Sequence, residues 1–384
     1  MADDKPDMTH QVRFSLDPIS DLETLGRLWR DLEGRSDHSF FVSWGWIGTW
    51  LATLPAHDRP SILVGRSDDR VVALAVLGRH TRRRLGCLVA RGLFLNETGD
   101  PRYDTLTVEY NGILAERGLG PMVTIQALRY LEDQVGGWDE LCLGGVAQAG
   151  LDLAASVGLR PHIFALQPCD YVDLAAVRVA GGDYLARLSR NSRYQIRRAL
   201  RLYEARGPLN AIAARSVEEA LRFLAELKAL HQANWIGRGN PGAFANPYFE
   251  TFHQALVRDR FPHGEIELLR IEVAGQAVGY LYNFVHAAHV YSYQSGFRYE
   301  DDPAVKPGLV SHYLAIERHL TAGAAIYDFM AGATRHKQSL GTDRTMMLWA
   351  TARRDRLRFR IEDALRALKH RVEAIVAHRA PGAT

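Results

Sequence analysis

The sequence predicts an α/β (α+β) protein of two tandem units, each a mixed, mostly antiparallel sheet flanked by helices, with an amphipathic helix added at the C-terminus. Three observations predict it. The 384 residues suffice for two domains of ordinary size. Apolar spacing switches between the helical period and the strand period along the chain. The order of elements in the first half also recurs in the second: helices, antiparallel strands, a strand leading into a glycine loop, a helix and another strand.

Residues 12–16 open the chain as a strand. Asp21–Arg35 comes next as a helix, with Leu22, Leu25, Leu28, Trp29 and Leu32 at helical spacing. Ser43 caps the next helix, which carries Trp44, Trp46, Ile47, Trp50, Leu51 and Leu54. Strands are expected at Ser61–Gly65, Val71–Leu77 and Cys87–Leu95, and another near Leu106–Leu114. Arg117-Gly118-Leu119-Gly120-Pro121 then leads into a helix over Val123–Val135. A strand at Glu140–Leu143, a short helix at Leu151–Val157 and a strand at His162–Leu166 end the first unit (1–170).

The second unit (171–350) begins beyond a boundary near 168–182. Asp183 caps a helix that stops at Gly207-Pro208. A strand near Asn210–Ala213 precedes Ser216, which caps a helix through Leu230. Gly237–Ala245 is a loop rich in Gly, Pro and Asn, and Tyr248–Arg258 is helical. Strands at Ile266–Val273 and Ala277–Val285 are joined by Ala274-Gly275-Gln276. Residues 289–337 then read as strand, glycine loop, helix from Ser311 to Leu320, and a strand ending near Asp328. The third segment (351–384) holds a basic amphipathic stretch over 353–373, striped by Leu357, Ile361, Leu365, Leu368 and Val372. It fits a packed terminal helix and also a peripheral membrane contact.

Hydrophobic residues make up 47% and charged residues 24%, a globular composition. The net charge of +3 does not mark a polyanion binder, so DNA is not an expected partner. Cys87, Cys142 and Cys169 are scattered, as reduced thiols of a cytoplasmic protein would be. The N-terminal residues lack an apolar core for a secretory signal, and no run reaches the length of a membrane span. The 15 histidines show no zinc spacing, so no metal is expected.

Two loops could hold a phosphate. Lys306-Pro307-Gly308-Leu309-Val310 precedes a helix whose first amides lack partners and carry partial positive charge. Glu116–Gly120 is richer in glycine and is its rival. Each also reads as a plain loop-to-helix join. Asp328 at a strand end and Lys337 nine residues on could move a proton or polarise a carbonyl, or form a surface ion pair. Arg190, Arg193, Arg197 and Arg201 line one face of their helix, suited to an acidic ligand or to solvent. His231 through Gly239 places His231, Trp235 and Arg238 at a helix end, as a substrate-facing lid would.

Several of these segments occur together in a consistent order. They are Leu188–Arg193 with Ile196-Arg197-Arg198, Leu230–Trp235, Tyr293-Gln294-Ser295-Gly296-Phe297, Lys306–Leu309, and Tyr327-Asp328-Phe329 with Gly332 and Lys337. Together they resemble the GNAT-type acetyltransferases of the CelD/BioF2-like group, relatives of the FemAB-type aminoacyltransferases. The match is good over roughly 170–340 and looser before it. Two departures bear on the acceptor: His336 precedes the lysine where the family usually has an aromatic, and Leu340 stands where a bulky aromatic is usual.

The resemblance implies two GNAT-like domains and an acetyl-CoA or other acyl-CoA donor. The expected activity is N-acyl transfer to an amine of a cell-envelope, glycan-precursor or small-molecule acceptor. Asp328, Tyr293 and Lys337 are the expected catalytic residues: Asp328 as base, Tyr293 as proton donor to the thiolate, and Lys337 at the acceptor. Gln294, Ser295, Lys306, Gly308, Leu309 and Val310 would hold the donor. Arg190, Arg193, Arg197, His231 and Trp235 would face the acceptor. Transfer from aminoacyl-tRNA is the second expectation. A non-catalytic scaffold role in exopolysaccharide (cellulose) biosynthesis is the third.

Overall fold

The computed structural model describes residues 11–84 and 88–364. In the first half the order is β1 (Arg13–Pro18), α1 (Leu22–Glu33), α2 (Trp44–Thr53), β2 (Ser61–Ser67), β3 (Arg70–Arg84), β4 (Leu88–Leu95), β5 (Leu114–Ala115), α3 (Gly120–Gln134), β6 (Glu140–Val146), α4 (Gln148–Ser156) and β7 (Arg160–Asp173). The second half continues with α5 (Leu174–Val179), α6 (Arg190–Glu204), β8 (Leu209–Ala213), α7 (Val217–Ile236), α8 (Pro247–Arg260), β9 (Ile266–Val273), β10 (Gln276–His286), β11 (His289–Phe297), α9 (Pro307–Thr321), β12 (Ile326–Ala331), α10 (Arg335–Leu340) and β13 (Asp343–Arg353). From β8 onward the elements repeat β1 to β7 in kind and order, apart from the two-residue β5. The duplication read from the sequence is therefore visible in the fold.

The two units do not keep separate sheets. All strands join one mixed sheet in the order β1-β2-β3-β4-β6-β13-β7-β12-β11-β10-β9-β8, with β5 beside β3. The last strand of each half has crossed to the other: β13 pairs with β6, and β7 pairs with β12. The two exchanged strands also pair with each other, antiparallel from Asp343↔Tyr171 to Arg353↔Arg160. Each half has one parallel contact, β4 with β6 and β11 with β12, both only three residue pairs long. The remaining pairs are antiparallel.

On one face of the sheet, α1, α2, α7 and α8 share a single core. Trp29, Trp46 and Leu51 of the first half join Phe223, Phe252 and Phe284 of the second, all fully buried. On the other face each half keeps its own core, under α3 and α4 in the first and under α5, α6 and α9 in the second. The helices form for ordinary reasons. Asp21, Ser43 and Ser216 accept hydrogen bonds from the first-turn amides of α1, α2 and α7.

Three expectations are corrected. Residues 106–113 are a loop rather than a strand, because Asn111 and its backbone are used to cross-link other segments. The helix expected from Asp183 starts later: Asp183 bonds only the Ala186 amide of a short turn, and Ser189 caps α6. At the C-terminus Arg353 still belongs to β13, and helix begins at 357. There Phe359 is buried while Leu357 and Ile361 are exposed, so this end of the expected stripe faces outward. Leu365, Leu368 and Val372 lie outside the described residues.

Candidate functional site

The short parallel contact between β11 and β12 creates the site. The strands pair from His289↔Ile326 to Tyr291↔Asp328 and then part. Two irregularities force them apart. On β11, Tyr293 is an extra residue: Ser292 pairs with Asn283, and Gln294 with Tyr282. On β12, Met330 takes the left-handed backbone region at φ 63, and β12's register against β7 shifts between Asp328 and Ala331. A non-glycine residue held there costs roughly 1–3 kcal/mol, and such strain concentrates at functional sites.

The gap between the strands is a cavity of about 420 Å³. Its walls include Ser292, Tyr293, Gln294, Ser295 and Phe297 of β11, with Phe329, Met330 and Ala331 of β12. His231, Asn234 and Trp235 of α7 and His312 of α9 complete it from the two faces of the sheet, with His336 and Lys337 of α10. Two carbonyls on the open edge of β11 are already bonded. His231 Nδ1 donates to Ser295 O at 3.1 Å and Asn234 Nδ2 to Phe297 O at 2.7 Å. His231 Nε2 accepts from the Ala243 amide at 3.3 Å, which fixes the Nδ1–H tautomer.

Glu109 enters this cavity from the first half. Its carboxylate accepts from the Ala331 amide at 2.8 Å, and burial pushes its pKa up to about 7. Lys337 donates to Ala331 O at 2.7 Å and to Met330 O at 3.2 Å. Burial lowers the Lys337 pKa, against the opposing pull of Glu109 and Asp328. The Tyr293 hydroxyl is buried beside the Thr107 backbone without a hydrogen bond of ordinary geometry. Burial raises its pKa, so it stays protonated.

Of the expected residues, Tyr293, Gln294, Ser295, His231, Trp235 and Lys337 line the cavity. Asp328 stands behind the wall. Its Oδ2 accepts from the Tyr110 hydroxyl and from His289 Nε2 at 3.1 Å, and its Oδ1 from the Met330 amide at 2.7 Å. Three donors on one buried carboxylate make it a clamp on the kinked end of β12. Arg190, Arg193 and Arg197 are not in the cavity. They line a separate surface of α6, whose other side, Ile196, Ala199 and Tyr203, is packed into the core under α9.

Lys306, Gly308, Leu309 and Val310, at the start of α9, are not among the residues that line the cavity. Gly308 faces the Phe297 ring, where an added Cβ would come within 3.3 Å. Pro307 has no N–H, and the Val310 amide already bonds Lys306 O at 3.2 Å. Gly308 and Leu309 therefore supply the open amides, and Val310 does not. The rival loop in the first half is placed differently. Glu116 is held by Arg35 and Arg70, and Arg117 by Asp37 at 2.9 Å.

The gap beyond β4 and β6, where β11 and β12 have their cavity, is plugged. Asn111 Nδ2 bonds Leu95 O at 2.9 Å and Gly144 O at 3.1 Å across it, and the Asn111 amide bonds Gly145 O. Gly145 has φ 63, and a Cβ there would lie 2.2 Å from Val108 O, so the plug sits directly on it. The plugging loop carries Thr107, Glu109 and Tyr110 to the second half. The spacing of Glu109 gave no sign of this role.

Residues 190–338 match a family model described as an acetyltransferase (GNAT) domain. No curated protein matches the chain. The fold is that of several solved structures. FemX superposes with a TM-score of 0.53 at 10% identity, over 88% of this chain and 96% of that one. The C-terminal domain (DUF2156) of an Agrobacterium fabrum protein described as a lysylphosphatidylglycerol synthetase gives 0.52 at 13% identity, over 91% and 95%. L-PGS from Bacillus licheniformis gives 0.50 at 11% identity, over 95% and 98%. At these identities the likeness shows the fold. Among the described residues no helix is long and apolar enough to cross a membrane, and no group of three metal-ligating side chains occurs.

Proposed function

We propose that the chain, whose residues 190–338 match a GNAT acetyltransferase family model, is an acyl-CoA-dependent N-acyltransferase working in the β11/β12 cavity, with Glu109 as its base. One observation carries the reading: a buried carboxyl with its pKa near 7 projects into the gap where two parallel strands part. A base poised near neutral pH suits an amine that must lose a proton as it attacks.

In this reading the pantetheine arm lies along the open edge of β11, and the diphosphate meets the Gly308 and Leu309 amides with Lys306 nearby. The thioester supplies the activated acyl carbon. The acceptor nitrogen forms its bond to that carbon, the carbon–sulfur bond breaks, and the nitrogen's proton passes to Glu109. The Tyr293 hydroxyl, kept protonated by burial, gives a proton to the departing thiolate. Lys337 fixes the carbonyls of the kinked strand end and stands by Glu109. Holding both reactants in one cavity removes much of the entropic barrier. We further propose that the acceptor is an amine of a cell-envelope precursor, a glycan precursor or a small molecule, as the family resemblance implies.

Calorimetry with acetyl-CoA and longer acyl-CoAs, with charged tRNA as the competing donor, tests the donor. Release of the coenzyme A thiol across a panel of amines tests transfer. Glu109→Gln should lower kcat/KM roughly 10²- to 10⁴-fold. The wild-type rate should climb with pH and level off above about 7 as Glu109 ionises. Acyl-CoA binding that is absent, or a Glu109→Gln enzyme as active as the wild type, would sink the reading.

A further inference from the structure

We propose that Arg238 is the anion-holding residue of the cavity and grips a phosphate or carboxylate of a bound substrate. The inference deepens the acyltransferase reading and rests on it. Arg238 lies on the loop after α7 and lines the cavity with Tyr299, which lies just beyond β11. Its guanidinium stands over the Tyr299 ring, 5.7 Å from the centroid. The ring supports the flat cation without neutralising it. The loop is pinned on both sides, by the Arg238 amide on Trp235 O and by Asn240 Nδ2 on Arg238 O.

The other charges of the cavity are spoken for. Lys337 bonds two backbone carbonyls and sits with Glu109. The three imidazoles on the walls, His231, His312 and His336, are all held neutral at pH 7 by burial. Among the described residues no carboxylate pairs with Arg238, whose guanidinium has the Tyr299 ring beside it. The cavity is thus polarised. An uncommitted guanidinium flanks the β11 side, and the Glu109 carboxyl with Lys337 marks the β12 side. A substrate with an anionic group at one point and its reacting atom at another fits that arrangement.

The anion has two sources, the donor's phosphates or an acid group on the acceptor amine, and two measurements separate them. Coenzyme A and 3′-dephospho-coenzyme A are titrated calorimetrically into the wild type, Arg238→Ala and Arg238→Lys. Transfer from acetyl-CoA is then measured to matched amines with and without a carboxylate. Arg238→Ala should weaken one partner roughly 10- to 100-fold, and Arg238→Lys should recover part of the loss. A loss confined to coenzyme A, shrinking with the dephospho form, assigns the 3′-phosphate. An equal loss for both forms assigns the diphosphate. A KM increase confined to carboxylated amines assigns the acceptor. Arg238→Ala matching the wild type in both measurements overturns the proposal. A wild type that binds no coenzyme A overturns the acyl-CoA reading itself, a result distinct from an unaffected variant.

Discussion

Glu109 is asked to be buried and to be ionisable, and these demands conflict. Burial raises its folded pKa to about 7 from an ordinary 4.5. A carboxyl whose folded pKa is raised favours the native state while it is neutral. That advantage is complete below about 4.5 and is lost as the pH climbs through 7. A shift of this size corresponds to about 3 kcal/mol. Glu109→Gln keeps an oxygen for the Ala331 amide and cannot ionise. It should therefore be the more stable protein at pH 8, with the gap closing toward pH 4. Urea denaturation at both pH values measures this, and a gap that does not change with pH would contradict it. Greater stability with lost activity is the usual signature of a strained functional group. Nothing local in the sequence marked Glu109, because a lone Glu among the residues of an expected strand is ordinarily on its solvated face. Asp328 did carry a visible signal, a carboxylate at a strand end, yet its three donors make it a clamp.

At the scale of elements, the two halves differ most in the connection that leaves their fourth strand. Residues 96–119 separate β4 from α3, whereas residues 298–306 suffice between β11 and α9. The longer connection closes its own gap through Asn111 and equips the other half with Glu109 and Tyr110. Asn111→Ala would leave the buried carbonyls of Leu95 and Gly144 without partners. It should cost roughly 2–3 kcal/mol. It should also lower transfer activity, since the segment that presents Glu109 loses its anchor. Chemical denaturation beside an activity assay measures both, and a variant of unchanged stability would show that the plug is unimportant. The sequence reads as a strand near Leu106–Leu114, where Leu106, Val108 and Tyr110 alternate as strand residues do. Their alternation instead serves a loop pressed between two packed surfaces, with Leu106 and Val108 buried and Tyr110 partly so.

At the scale of the molecule, the exchange of β7 and β13 makes the halves interdependent. A chain of residues 174–364 alone would lack β7, leaving β12 and β13 without the strand between them, and would expose the core face that α7 and α8 share with α1 and α2. Open edges of this kind invite aggregation. The fragment should fail to form a folded monomer, and co-expression with residues 11–173 should restore one. Size-exclusion chromatography and circular dichroism test this. An independently folded, monomeric 174–364 would show that the shared core is dispensable.

The sequence by itself determined most of the elements, their repetition and the family resemblance of the second half, because these rest on periodicity, capping residues and motifs that are close along the chain. Tyr293, Gln294, Ser295, His231, Trp235 and Lys337 were picked out that way, and they line one cavity. Only the tertiary structure decided that the two sheets are one and that Glu109 faces the cavity. It also decided that Asp328 stands behind the wall and that the arginines of α6 point elsewhere. Those facts depend on a strand exchange and a plugging loop that join residues some two hundred positions apart, as in the pairing of Glu109 with Ala331. Local pattern carries no record of such contacts, since the free energy that selects them comes from burial and hydrogen bonding between segments that sequence spacing does not relate.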